Sequence, residues 1–219
     1  MTRERAVTEW TRRAIDKHFL GFMIPENISR HYDDYEMFFY AHGLEVLCKA
    51  YIIGKKFPAY RGKSFVEAKK VIDEIAMKLG HDLIRLAKEM IGYGVLSPDF
   101  LSEVHRRTSN NVDLTNEDML KTLKATYFEA RYPVVKLDHQ RYYEEKVKNN
   151  PKAINKRFPE ILKMSHEVDR FSRKLFVLIL GRIEKDFGIK ISREKFLNDI
   201  EDNDWERFTN LFFRHDGAT

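Results

Sequence analysis

Three ionisable side chains share one stripe of a helix that the sequence predicts over 35–53. His42, Glu45 and Lys49 are spaced i, i+3 and i+7, so a helix brings them to one face. Glu45 precedes Lys49 by four residues, the order that favours an ion pair. Two interpretations remain open: a functional site, or a solvent-facing ion pair that contributes little stability.

Two further pairs add candidate functional groups. His81 and Asp82 follow Gly80, where an aspartate at a helix start would accept backbone N–H bonds and favour the positive helix end. Arg131 and Tyr132 stand where a later helix should end before Pro133. We predict that Glu45 or Asp82 comes within salt-bridge range of Arg131, because charges on core helices need partners or water. The predicted polar cluster is His42, Glu45, Lys49, His81, Asp82, Arg131 and Tyr132.

The segments that carry these residues are predicted to be helices. Apolar residues recur at steps of three and four over 35–53, 65–79, 83–90 and 120–130, and we predict that these stripes meet in one core. Phe65 is placed on the apolar face of its helix, and Ser97-Pro98-Asp99 is taken as a further helix start. Other predicted helix starts and ends lie at Ser64, Gly80, Asp82, the Thr115–Asp118 capping box, and Gly188 after a long helix beginning at Pro159.

Three segments in order resemble the HEPN domain, an all-α bundle. They are AHGLEVLCKAYII at 41–53, GHDLIRLAKEM at 80–90 and YFEARYPV at 127–134. The resemblance implies an antiparallel helical bundle that acts as a homodimer, either as an RNase of toxin–antitoxin and defence systems or as a partner of a small nucleotidyltransferase or an antitoxin. Other family members have no known catalytic activity, so a non-catalytic dimerising module is the alternative. We expect the bundle over 1–134 and a C-terminal helical extension packed on it over 135–219.

The sequence departs from the RNase pattern of that family. Family RNases have four to six residues between an Arg and a following His, whereas seven residues separate Arg131 from His139 and Pro133 interrupts the helix. Arg12 and Arg13 do stand at permitted distances from His18, but so many Arg and His residues produce such spacings by chance. Catalysis of this type is therefore left undecided by the sequence.

Metal and cofactor sites receive little support. His42 with His81-Asp82 also resembles the start of an HD-type metal phosphohydrolase, an alternative that needs a second ligating aspartate from a later helix. The sequence has no Gly-rich phosphate loop, no serine nucleophile elbow and no Cys/His zinc spacing. We therefore predict neither a bound metal nor a cofactor.

Composition and charge indicate the environment and one possible partner. The single Cys48 and the absence of an apolar leader or a bilayer-length apolar run favour a cytoplasmic protein that does not enter a membrane. The net charge of +5 is concentrated in the segment 136–174, which holds 11 Lys/Arg and 6 Asp/Glu. This segment is either a solvated connector or a surface for single-stranded RNA. The candidate RNA contacts are Arg141, Lys146, Lys148, Lys152, Lys156 and Arg157.

Overall fold

The protein is an all-α bundle, as the helical periodicity predicted. The computed structural model describes residues 1–23, 32–106, 113–131 and 165–191. In this part of the chain the helices are α1 (Arg3–Met23), α2 (Tyr32–Lys55), α3 (Phe65–Leu79), α4 (Leu83–Gly92), α5 (Asn116–Arg131) and α6 (Ser165–Phe187). Single 3₁₀ turns cover Phe57–Ala59 and Phe100–Ser102. The strands β1 (Val104–Arg106) and β2 (Asp113–Thr115) pair in a two-stranded antiparallel sheet.

Helix α2 is the centre of the bundle. It contacts each of the other five described helices, α1, α3, α4, α5 and α6. Leu44, Leu47 and Tyr51 are almost fully buried in the main core, which fits the broad apolar stripe in its sequence. A helix enclosed in this way can hold polar side chains only where a neighbouring element supplies partners.

Helix α3 packs at the margin of the core, against α2 and the segment that follows it. Ala68 and Ile72 form a small cluster with Ile53 and Tyr60, and Leu79 reaches the main core. The prediction that Phe65 belongs to the buried face is wrong, because its side chain is 47% exposed. Phe65 lies at the first position of the helix, where the guanidinium carbon of Arg5 sits 5.2 Å from its ring centroid.

The helix ends follow the predicted capping chemistry. Ser64 and Glu67 form a reciprocal capping box at the start of α3, and Gly80 ends that helix with φ of +67°. Thr115 and Asp118 exchange the equivalent bonds at the start of α5, with Asp118 Oδ2 accepting from Thr115 N at 3.0 Å. Gly188 follows α6 with φ of +69°. These residues fix the helix boundaries locally, before tertiary packing acts.

The region after α4 differs from the prediction. Ser97-Pro98-Asp99 does not start an α-helix, since only the 3₁₀ turn Phe100–Ser102 forms before the chain enters β1. Asn116 explains the change, because its side-chain amide donates to Phe100 O at 2.7 Å and to Glu103 Oε2 at 3.1 Å. These bonds tie the 3₁₀ turn to the start of α5.

Helix α6 joins the main core, as predicted for its apolar centre. Leu175, Phe176, Ile179 and Leu180 are buried, while Leu178 is 44% exposed, and α6 packs on α2 and α5. The domain division at residue 134 stays a prediction. Residues 132–164 and 192–219 of the predicted C-terminal extension lie outside the described residues. None of the described helices has an apolar stretch of the length needed to cross a membrane.

Candidate active site

A buried ion pair on α2 is the foundation of the candidate site. Lys49 Nζ lies 2.6 Å from Glu45 Oε1, and the two side chains are only 7% and 5% exposed. The interpretation as a solvent-facing ion pair is therefore wrong. The i, i+4 spacing brings the two groups together on the helix, and packing by neighbouring elements removes them from water. Buried charges of this kind need further hydrogen bonds to offset desolvation.

His81 supplies that additional contact to Glu45. Its Nδ1 lies 3.0 Å from Oε1 and 3.1 Å from Oε2 of Glu45, while the His81 side chain is 50% exposed. Since an ionised carboxylate only accepts hydrogen bonds, Nδ1 is the donor, and a neutral imidazole then carries its lone pair on Nε2. A buried carboxylate thus orients a histidine ring that reaches solvent.

The backbone around His81 is fixed on both sides. Gly80 ends α3 in a positive-φ conformation, and Asp82 caps α4 by accepting from Ile84 N at 3.0 Å and Arg85 N at 3.3 Å. His81 is thus held between two helix caps, which limits the positions its ring can take. A site on so short a connection is better positioned than one on a long loop.

His42 completes the group on α2. It is half-buried, and its ring centroid lies 5.9 Å from that of Phe38. Burial lowers the pKa of His42; Glu45 raises it, whereas electrostatic interactions with Lys17, Lys49 and His81 lower it further. His42 is therefore uncharged at neutral pH. Its electrostatic neighbours show that Lys17 of α1 belongs to the same surroundings.

Asp82 turns away from this group towards α5. Its Oδ2 accepts from Lys124 Nζ at 2.8 Å, and this hydrogen bond is the main reason that the pKa of Asp82 is lowered. The prediction of Asp82 as a helix start is confirmed. Its carboxylate links α4 to α5, so its role in the described structure is structural.

The predicted cluster is thus brought together in part. His42, Glu45, Lys49 and His81 form one electrostatic group, and Asp82 lies beside it. The side chains of Arg131 and Tyr132 lie outside the described residues, so their contact with Glu45 or Asp82 stays a prediction. The same holds for the whole basic segment and its candidate RNA contacts.

Sequence reasoning missed Lys17 and Lys124. Both are partly exposed charged residues, Lys17 on α1 and Lys124 on α5. No spacing in the sequence links them to positions on α2 or α4. In the sequence, Lys124 is only one of several charged residues in the helix that carries the third segment resembling the HEPN domain. Contacts across 42 residues, such as that between Lys124 and Asp82, depend on how the helices pack.

Two other candidate groups are inert. His18 is fully buried, with its ring 4.0 Å from Phe176 and 4.5 Å from Tyr40, and burial holds its pKa well below the usual value. This geometry removes the Arg12 or Arg13 with His18 spacing from consideration as a reactive pair. Burial also raises the pKa of Cys48 to about 12, so its thiol stays protonated and is a poor nucleophile.

Metal ligation finds no support in the described part of the chain. Among residues 1–23, 32–106, 113–131 and 165–191, no three His, Cys, Asp or Glu side chains are grouped so as to hold a metal ion. Asp82, which the phosphohydrolase alternative requires as a ligand, is committed to the α4 cap and to Lys124. The donor set around Glu45 does not resemble a metal site.

Comparisons of the chain with family models, with curated proteins and with solved structures found no match. The arrangement itself is therefore the basis for a functional argument. The contact between Glu45 and His81 connects α2 to the junction between α3 and α4, and these two places carry the first and second segments that resemble the HEPN domain.

Proposed function

We propose that the cluster around His81 is an acid–base site that cleaves RNA without a metal ion. The observation that carries the proposal is the half-exposed His81 ring, oriented through Nδ1 by the buried carboxylate of Glu45. Histidine is the side chain that most often transfers protons in catalysis near neutral pH. In this role Nε2 of His81 takes the proton of the ribose 2′-hydroxyl as that oxygen attacks the adjacent phosphorus. The P–O5′ bond breaks, the departing 5′-oxygen takes a proton from water, and the product is a 2′,3′-cyclic phosphate.

The charges around the cluster do not repel an anionic substrate. Lys49 and Lys17 both act electrostatically on His42, which shares the surroundings of Glu45 and His81. Lys49 offsets the charge of Glu45, so that a phosphodiester approaching His81 does not meet an uncompensated carboxylate. The HEPN resemblance agrees with this assignment, since its members include RNases, and it extends the proposal to a homodimer with a nucleotidyltransferase or antitoxin partner.

The test is incubation of the purified protein with single-stranded RNA in excess EDTA. The wild-type protein should cleave RNA to fragments with 2′,3′-cyclic phosphate ends, and His81→Ala should slow cleavage by about 10²–10⁴-fold. His105→Ala, which changes a histidine on β1, serves as the matched control and should retain full activity. The chain should not cleave DNA of the same sequence, because DNA lacks the 2′-hydroxyl.

Absence of cleavage by the wild-type protein, or full activity of His81→Ala, would contradict the proposal. In that outcome the alternative, a non-catalytic dimerising module, becomes the preferred function.

A further inference from the structure

The outer face of α3 carries an exposed stripe in which polar and apolar residues follow a symmetric order. Val66 is 76% and Met77 is 72% exposed, although both are large hydrophobic side chains. They lie 11 residues apart, about three helical turns, so they fall on one face. Between them a shallow groove of about 350 Å³ runs along the helix. Its lining residues are Val66, Lys69, Lys70, Asp73, Glu74 and Met77.

The order of these residues is self-complementary. From the start of the helix the stripe reads apolar, basic, basic, acidic, acidic, apolar. Read from the other end of the helix, the same stripe has acidic residues wherever the forward order has basic ones, and an apolar residue at each end. A two-fold axis perpendicular to the helix reverses one helix against the other and requires a surface that complements itself in this way.

We infer that α3 is the surface through which two copies of this chain pair, with the two α3 helices antiparallel. In this arrangement Val66 of one copy lies opposite Met77 of the second copy. The basic pair Lys69 and Lys70 then lies opposite the acidic pair Asp73 and Glu74 of the second copy, twice in each dimer. A parallel pairing would instead put Lys against Lys and Glu against Glu, which opposes association.

The charges available for this contact are exposed. Lys69 Nζ and Asp73 Oδ2 are 2.8 Å apart within one chain, with side chains 60% and 46% exposed. Such a pair contributes little to the stability of a single helix. It can extend into a network with the second copy without breaking, because each carboxylate accepts several hydrogen bonds.

The expected dimer is weak. One pair of 15-residue helices buries less area than the roughly 1,200–2,000 Å² of stable interfaces, so we expect a dimer that forms only at high protein concentration. The contact stands on the pattern of α3 alone and does not require His81 to act on RNA. His81 is not part of the paired stripe, because it follows the end of α3.

The experiment is sedimentation velocity of the full chain from about 5 to 500 µM, at low and high salt. The wild-type protein should show a concentration-dependent dimer that weakens with salt. The double variant Lys69→Glu with Lys70→Glu, and the double variant Asp73→Lys with Glu74→Lys, should each weaken dimerisation by at least about tenfold, because like charges then face each other.

A mixture of the two variants gives the sharpest result. One variant carries four acidic residues on the stripe and the other four basic residues, so an equimolar mixture should form a heterodimer at least as readily as the wild type dimerises. The variant with all four changes again carries one acidic pair and one basic pair along the stripe, in the reverse order, and should dimerise with itself. Arg85→Glu with Lys88→Glu, the same charge change on the exposed face of α4, is the matched control and should dimerise normally.

Three outcomes would overturn the inference: a monomeric wild type over the whole range, charge variants that dimerise as the wild type does, or a mixture that fails to associate. Far-UV circular dichroism identifies a variant that has lost its helices. The variant with all four changes keeps the i, i+4 pairing within α3, so it decides the question even if a double variant is unstable. RNA cleavage in the same samples is a separate readout that reports on His81.

Discussion

Helix α2 carries two polar clusters of similar construction and different character. At its centre, Glu45 pairs with Lys49 four residues on, and His81 approaches from the junction before α4. Near its end, Tyr51 and Lys55 have the same spacing, and Asp186 of α6 lies between them, 2.5 Å from Tyr51 Oη and 3.1 Å from Lys55 Nζ. Each cluster connects α2 to another part of the bundle through one carboxylate.

The difference lies in how each cluster responds to protons. The pKa of Tyr51 is raised by burial and by its bond to Asp186, while the bond from Tyr51 lowers the pKa of Asp186. Burial works against protonation of Lys55, yet hydrogen bonds to Tyr51 and Asp186 raise its pKa overall. All three groups therefore keep one protonation state through the neutral range, which suits a fixed connection between helices.

The Glu45 cluster ends in a histidine that reaches solvent, the side-chain type that exchanges protons near neutral pH. One helix thus uses the same i, i+4 arrangement for a fixed connection between helices and for a cluster that ends in a solvent-exposed histidine. The difference comes from the residue that approaches each pair from outside α2, which is a partly buried Asp186 in one cluster and a half-exposed His81 in the other. Three substitutions test this distinction through stability.

The largest expected effect comes from Lys49→Met. This change leaves the carboxylate of Glu45 buried without its ammonium partner, and we expect a loss of about 3–5 kcal/mol in the free energy of unfolding. Urea denaturation followed by circular dichroism measures the loss. Lys121→Met is a matched control, because Glu117 and Lys121 have the same order and spacing but are 41% and 56% exposed.

The control should lose less than about 0.5 kcal/mol. A second variant, Glu45→Leu with Lys49→Met, removes both charges and should recover much of the stability, since apolar groups can replace a buried pair. Equal losses for Lys49→Met and Lys121→Met would show that burial does not distinguish the two pairs.

Asp186→Asn tests the other cluster. The amide keeps the shape but loses the charge that holds Tyr51 and Lys55, and we expect a loss of about 2 kcal/mol at pH 7. Because the folded pKa of Asp186 lies below its unfolded value of 3.8, its contribution is present above that value and disappears as the pH falls below it. The variant should therefore lose less stability than the wild type on acidification below about pH 4.

RNA cleavage by Asp186→Asn should match that of the wild type, since this cluster does not take part in the proposed reaction. A flat difference in stability across the acid range would contradict the assigned role of Asp186. Reduced cleavage in a fully folded variant would contradict the separation of the two clusters.

The smallest effect concerns the backbone beside His81. Asp82→Ala removes the α4 cap and the contact to Lys124, at a cost of about 1 kcal/mol, whereas Asp82→Asn keeps a good capping residue and should cost less. Thermal unfolding measures both. If the two variants are equally destabilised, the cap is not the main contribution of Asp82.

The sequence predicted the helices and most of their ends, because these depend on local chemistry. The Ser64 and Glu67 capping box and the Thr115 and Asp118 bonds act within four residues, and glycine at position 80 serves a conformation that few other residues adopt. The hairpin after α4 was missed because strands of three residues leave no alternating pattern to detect.

The sequence predicted which residues of α2 belong to the candidate site, but not that two of them are buried. Position on a helix stripe placed His42, Glu45 and Lys49 together, yet spacing could not show that Glu45 and Lys49 are buried. That burial, and the approach of His81 to Glu45, result from packing of residues 36 positions apart. The exposed Phe65 is the opposite case, since its apolar character indicated a core position that the margin of the bundle does not provide.

A double-mutant cycle of RNA cleavage rates tests most directly whether Glu45 acts through His81. Single-turnover rates are compared for the wild type, Glu45→Gln, His81→Ala and the double variant, in EDTA and well below each melting temperature. We predict that Glu45→Gln slows the wild type by about tenfold or more and has no further effect in the His81→Ala background. The same reduction in both backgrounds, or no reduction in either, would contradict the account.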